Sequence, residues 1–200
     1  MAHSLEGCLL ILRLRIGNWR FTFSIVPVVD VIGVNSELPD GNHILMWDFD
    51  GKTFWQVHDA LLKIQRLYKL PNIYILLTRM ANKQKKPPEN FTVKDWKPAE
   101  KGNYIAYCFK RTPWRKAVEI VASTEHVDWN FFRFSVFRGK FTLRVSGKDG
   151  RKPIPVYILK SPEPEDVTIA DLKSWVKYET LRKDVYDNIK ISLPRGEELL

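Results

Sequence analysis

Apolar residues over the first fifty positions fall in strand-length runs. Cys8 to Ile16 and Trp19 to Ile32 are rich in β-branched and aromatic residues and meet at Gly17-Asn18, a pair suited to a two-residue turn, which predicts an N-terminal β-hairpin. Pro27 has no N–H to give to a ladder and predicts an edge or a bulge. Asn35 to Asn42, with Pro39, Asp40 and Gly41, reads as a loop, and His43 to Asp50 as a short apolar strand closed by Asp50-Gly51. The period then changes. Thr53 and Gln56 stand at capping-box spacing, and Val57, Leu61, Ile64 and Tyr68 mark one helical face up to Pro71. A strand over Ile73 to Thr78 follows.

Met80 to Lys101 carries lysines, Pro87-Pro88 and no apolar period, so it reads as a basic loop inserted between two strands. The sheet resumes at Asn103 to Lys110, and Thr112-Pro113 offers an N-cap and a first-turn proline for a helix through Ser123, with Trp114, Ala117, Val118 and Val121 inward. Asp128 to Phe137 fits both periods; a helix ending at Gly139 is preferred, with Trp129, Phe131, Phe132, Phe134 and Phe137 assigned to the core. Lys140 to Ser146 and Val156 to Lys160 read as strands, and Thr168 as the cap of a last amphipathic helix holding Leu172, Trp175 and Val176, before a tail. This order predicts an α+β domain: an antiparallel or mixed sheet with helices mainly on one face, the other face being free for function. Residues 1–42 are expected as a hairpin and loop packed on the core, 43–162 as the core with its insertion at 80–101, and 163–200 as the C-terminal helix and tail, all one structural domain.

Composition adds two exclusions. The uncharged stretch from Phe21 to Val29 stops at Asp30, short of the roughly 20 residues a membrane helix needs. Arg13 and Arg15 interrupt the first apolar run and no basic n-region precedes it, which argues against a signal peptide and leaves the cytoplasm as the default compartment. Cys8 and Cys108 each sit in an apolar run and read as core. Charge changes the picture more. Arg79 to Lys116 holds 11 Lys/Arg against 3 Asp/Glu and Arg133 to Lys152 holds 7 against 1, so these stretches carry +8 and +6 of a formal +9 and leave −5 for the rest. Lysine and arginine at this density neutralise phosphates, which makes nucleic acid the leading partner ahead of an anionic membrane surface, while composition alone leaves a merely solubilising face equally open.

Chemistry concentrates at Met46-Trp47-Asp48-Phe49-Asp50-Gly51, an apolar strand ending in two acids. Side chains at i and i+2 share a face of a strand, so Asp48 and Asp50 converge and suit Mg²⁺ or Mn²⁺, which prefer oxygen ligands. The plain alternative is an ordinary Asp50-Gly51 turn with a solvated Asp48. The run Asp48-Phe49-Asp50-Gly51-Lys52 with Thr78 at the end of the next strand resembles the first two motifs of haloacid-dehalogenase-type phosphatases, but no later strand closes in the acidic pair which that family needs.

A second resemblance covers His43 to Lys160. Asp48-Phe49-Asp50, then Val127-Asp128, Arg133 and the run Arg138-Gly139-Lys140-Phe141-Thr142-Leu143-Arg144-Val145-Ser146-Gly147-Lys148, are similar to the archaeo-eukaryotic primase superfamily, the catalytic subunits of primases and primase-polymerases. Gly102-Asn103-Tyr104-Ile105 stands where that family has its Gly-aromatic-His strand, so Tyr104 occupies the place of the nucleotide-contacting histidine. The resemblance implies an RNA-recognition-motif-like core and a DNA primase-like nucleotidyltransferase acting in DNA replication. It implies a catalytic, metal-binding set of Asp48, Asp50 and Asp128 holding Mg²⁺ or Mn²⁺, with Arg79, Tyr104, Arg144 and Lys148 toward nucleotide phosphates. Lys83, Lys85, Lys86, Arg138 and Lys140 are the expected contacts to single-stranded or primed DNA or RNA. A non-catalytic nucleic-acid-binding module on the same fold stays open because of Tyr104, and Asp128 also reads as a helix N-cap. The chain shows no obvious separate primer-binding domain, which leaves a place for a helicase or a second primase subunit as partner.

Overall fold

The computed structural model describes residues 10–25, 28–80, 94, 96–148 and 152–181. The expected hairpin forms from β1 (Leu10–Ile16) and β2 (Trp19–Ile25), paired antiparallel with Ile16 opposite Trp19. Gly17 takes φ +56 at the first central position of the turn, a conformation that glycine reaches without a Cβ clash. The strand expected to run on to Ile32 is two strands. β2 ends at Ile25 and β3 (Val28–Asn35) belongs to another sheet, with the intervening proline position outside the described residues.

The chain divides into two compact units, Met1–Asp30 with Glu179–Leu200, and Val31–Tyr178. Within the second, β4 (His43–Lys52), β5 (Ile73–Met80), β6 (Gly102–Thr112) and β8 (Ile154–Leu159) form a sheet in the order β4-β6-β5-β8, antiparallel at every step. A three-stranded sheet in the order β7-β3-β9 combines β3 with β7 (Thr142–Arg144) and β9 (Trp175–Leu181). The α+β class expected from the sequence is borne out.

Helix α1 (Phe54–Tyr68) starts where its cap demands: the Thr53 side chain accepts from the Gln56 amide, and Gln56 returns the bond to the Thr53 N–H at 3.0 Å. It ends at Lys69 in the left-handed region, two residues before Pro71. Helix α2 (Trp114–Ala122) follows Pro113; Thr112 does not cap it, its hydroxyl donating instead to the Lys110 carbonyl. Helix α3 (Trp129–Arg138) is the helix preferred for that stretch, capped by Asp128 and ended by Gly139 at φ +72. The helix expected after Thr168 does not form. Thr168 closes a capping box with Asp171, but the turn stops after Ile169–Asp171, and Trp175–Leu181 joins β3 as a strand, its entry tied by the Asn35 amide to the Ser174 carbonyl at 2.8 Å. Its β-branched and aromatic residues find a ladder there, and pairing overrides a helical period of only two turns.

α1 and α2 cover one face of the four-stranded sheet, where Trp47, Phe49, Tyr104, Ile75 and Leu77 are buried. The other face is not left free. Every residue from His43 to Trp47 is buried, so β4 is covered on both sides, and the Tyr107 hydroxyl on the second face reaches the Arg144 carbonyl of β7 at 3.5 Å. Ile44, Met46, Ile105 and Tyr107 supply the apolar surface that demands this cover.

Candidate active site

On β4 the burial run breaks at Asp48, partly buried, and at Asp50, exposed. Register decides what each meets. Asp48 lies opposite Ile105 and Phe49 opposite Tyr104, so Asp48 is on the face turned away from α1 and Tyr104 on the face beneath it. A bulge after Phe49 carries the chain through Asp50 to Gly51, where φ is +66.

Asp128 arrives from the other side of the domain. Its backbone N–H donates to the Asp48 carbonyl at 2.8 Å, which pins the start of α3 to the middle of β4. Its carboxylate accepts from the Phe131 amide at 2.6 Å, so the residue is an N-cap and at the same time the third acid of the cluster. The N-cap reading of Asp128 is borne out. Burial, then the charges of Asp50 and Asp128, push the Asp48 carboxyl up to about 7, against the pull of the Phe49 amide and Arg144. Asp50 is also raised, by burial and Asp128, with Arg79 and Asn103 opposing.

Two of the expected phosphate-binding cations stand at this end of the sheet. Arg144 donates to the Thr78 carbonyl at 3.2 Å, which holds its guanidinium between the end of β5 and Asp48. Arg79, exposed and opposite Asn103, acts on Asp50. Asn103 went unremarked in the sequence, where it reads as a polar residue opening a strand. Its side chain accepts the Gly51 N–H at 3.1 Å and hydrogen-bonds Asp50, so it shapes the turn that presents the acid. Lys148 follows Arg144 by four residues and is partly buried.

The remaining expectations separate from this cluster. Tyr104 is fully buried, and its hydroxyl accepts the Trp96 indole N–H at 3.2 Å, with Phe54 packed on both rings. Tyr104 is a core residue on the face opposite the acids, because strand parity gives it the environment of Phe49. Arg138 and Lys140 lie at the far end of α3, about 15 Å along the axis from Asp128, with Lys140 3.4 Å from Glu37. Lys83, Lys85 and Lys86 lie outside the described residues. The aromatics of α3 depart from the core assignment: Phe131 and Phe132 are partly buried, whereas Trp129, Phe134 and Phe137 are 65%, 50% and 90% exposed. Ten residues cannot bury five aromatic rings on the single stripe a helix presents to a core.

Among the described residues no three His, Cys, Asp or Glu groups are close enough to enclose a metal ion as they stand. Asp48, Asp50 and the second oxygen of Asp128 offer only oxygen donors, the kind a hard dication takes, and a cation would offset the charges of Asp50 and Asp128 that add to burial in raising Asp48. No helix among the described residues is long and apolar enough to cross a membrane. The chain matches no protein-family model, no curated protein and no solved structure.

Proposed function

We propose that this protein is a primase-polymerase-like nucleotidyltransferase of the cytoplasm, acting on single-stranded or primed nucleic acid through Asp48, Asp50 and Asp128. The observation that carries the reading is the backbone hydrogen bond from the Asp128 N–H to the Asp48 carbonyl at 2.8 Å, which brings acids from two distant segments within range of one another's charge, with Arg79 and Arg144 opposing that charge. Asp48 and Asp50 would hold Mg²⁺ or Mn²⁺, with Asp128 contributing its free carboxylate oxygen. Such an ion, when bound, lowers the pKa of a hydroxyl nucleophile and neutralises phosphate charge. The chain's own side chains supply the rest. With its carboxyl raised to about 7, Asp48 gives up its proton near neutral pH at little cost, leaving the carboxylate that would hold such an ion. Arg144, anchored on the Thr78 carbonyl, and the exposed Arg79 orient phosphate oxygens by charge-assisted hydrogen bonds. The two basic stretches hold the polyanion.

The test is incorporation of labelled nucleotides on a primed single-stranded template with Mg²⁺ or Mn²⁺, comparing wild type with Asp48→Ala/Asp50→Ala. Metal-dependent incorporation that falls at least a hundredfold in the double variant supports the proposal. A folded wild type that incorporates nothing in either metal refutes it. One observation favours a second reading, a binding module without catalysis: the family's histidine position is held by Tyr104, buried away from the acids. That module would bind single strands equally well with or without Asp48.

A further inference from the structure

Outside the acid cluster, the most unusual surface is the outward face of α3. Trp129, Arg133 and Phe137 are spaced i, i+4, i+8, and beside them Phe134 and Arg138 are four apart, so aromatic rings and guanidinium groups alternate along two adjacent rows. All five are exposed. The inner side of the same helix is already filled, so the outer rings have no core left to enter: Phe131 stacks on Phe141 with centroids 5.6 Å apart, and Ser135 is fully buried. Arg133 lies over the Phe134 ring, 4.9 Å from its centroid, so one cation of the face packs on an aromatic ring.

We infer that this face is a stacking platform for single-stranded nucleic acid. Charge selects the occupant. No acid lies between Trp129 and Lys140, so the face is purely cationic, which opposes pairing with a second copy of itself and complements a phosphodiester chain. The rings select single strands, since only unpaired bases offer free π-faces, and stacking on exposed aromatics tolerates any base. Geometry links the platform to the acids: α3 begins at Asp128, whose amide is bonded to the Asp48 carbonyl. The ten-residue helix is about 15 Å long, the length of about four stacked nucleotides. The assignment deepens the nucleotidyl-transfer reading and takes from it the class of partner.

The experiment uses the full chain in EDTA, with fluorescein-labelled dT₁₂ and mixed-sequence 12-mers followed by anisotropy, and a 12-base-pair duplex as control. Trp129→Ala/Phe137→Ala is expected to weaken single-strand binding about tenfold or more, with Trp129→Phe retaining most of it and duplex binding changing less than twofold. Arg133→Gln/Arg138→Gln is expected to reduce the slope of log affinity against log salt by about 1.4. The exposed positions leave folding intact, checked by circular dichroism. Wild-type-like single-strand binding by the aromatic variant overturns the platform, as does a wild type that binds no single strand, or a wild-type dimer that the aromatic variant dissolves. Asp48→Asn distinguishes the two proposals. If it and wild type bind alike while neither incorporates nucleotide, and the aromatic variant loses binding, the platform stands and nucleotidyl transfer falls. If wild type incorporates nucleotide and the aromatic variant binds undiminished, nucleotidyl transfer stands and the platform falls.

Discussion

Replacing Asp48 with asparagine keeps the shape of the side chain and removes a carboxyl that the fold holds at about 7 instead of its ordinary 3.8. Below pH 3.8 the group is protonated in folded and unfolded chains alike and has no effect on stability. As pH rises, the unfolded chain releases the proton first, so stability falls through about pH 7, where the folded chain also ionises, and the loss levels off about one pH unit above that. The displacement corresponds to about 4 kcal/mol in all, of which about 2.3 kcal/mol accrues between pH 5 and pH 7. That is large against the roughly 5–15 kcal/mol that holds a domain together. Urea unfolding in EDTA at pH 5, 6, 7 and 8 measures it. The stability difference, Asp48→Asn minus wild type, should climb by about 2–3 kcal/mol between pH 5 and pH 8, because titrations common to both proteins cancel in the difference. A difference flat to within about 0.5 kcal/mol would refute the reasoning, since it would mean that Asp48 is solvated and that the acids do not crowd one another.

Two further outcomes follow from the same geometry. Tyr104→Phe should leave nucleotide KM and kcat within about twofold and lower stability by about 1 kcal/mol, because the Trp96 N–H loses its acceptor 3.2 Å away; a tenfold rise in KM in a folded protein would show that the hydroxyl reaches substrate. Gly102→Ala places a methyl carbon 2.8 Å from the Arg79 carbonyl oxygen and 3.2 Å from Leu77, and since the first is backbone the β5–β6 pairing must open. The expected loss is about 1–3 kcal/mol in urea unfolding, and an unchanged midpoint would contradict the close approach.

Local signals placed most elements. The Thr53–Gln56 box and Pro71 bracketed α1, and Gly139 marked the end of α3, taking the left-handed φ of a C-terminal cap. The two acids of β4 stood out because an apolar strand has no other use for Asp48. The last strand was misread for the opposite reason: Leu172, Trp175 and Val176 satisfy a helical period, and the competing ladder on β3 lies some 140 residues away in sequence. Tyr104 was misplaced because a motif position carries no parity; which face it takes follows from its pairing with Phe49.

The sequence by itself determined the α+β class, the spacing that turns Asp48 and Asp50 toward one another, and the segregation of positive charge, since periodicity, strand parity and composition are local or additive. Tertiary structure alone decided what surrounds those groups. It brought Asp128 across 80 residues to the Asp48 backbone, aimed Arg144 from a second sheet, buried Tyr104 under α1 and turned Trp129 and Phe137 outward. Each of these is a choice among faces that a helix or strand offers equally until another element covers one of them, and burial, which raises Asp48 and exposes α3, exists only after that choice is made.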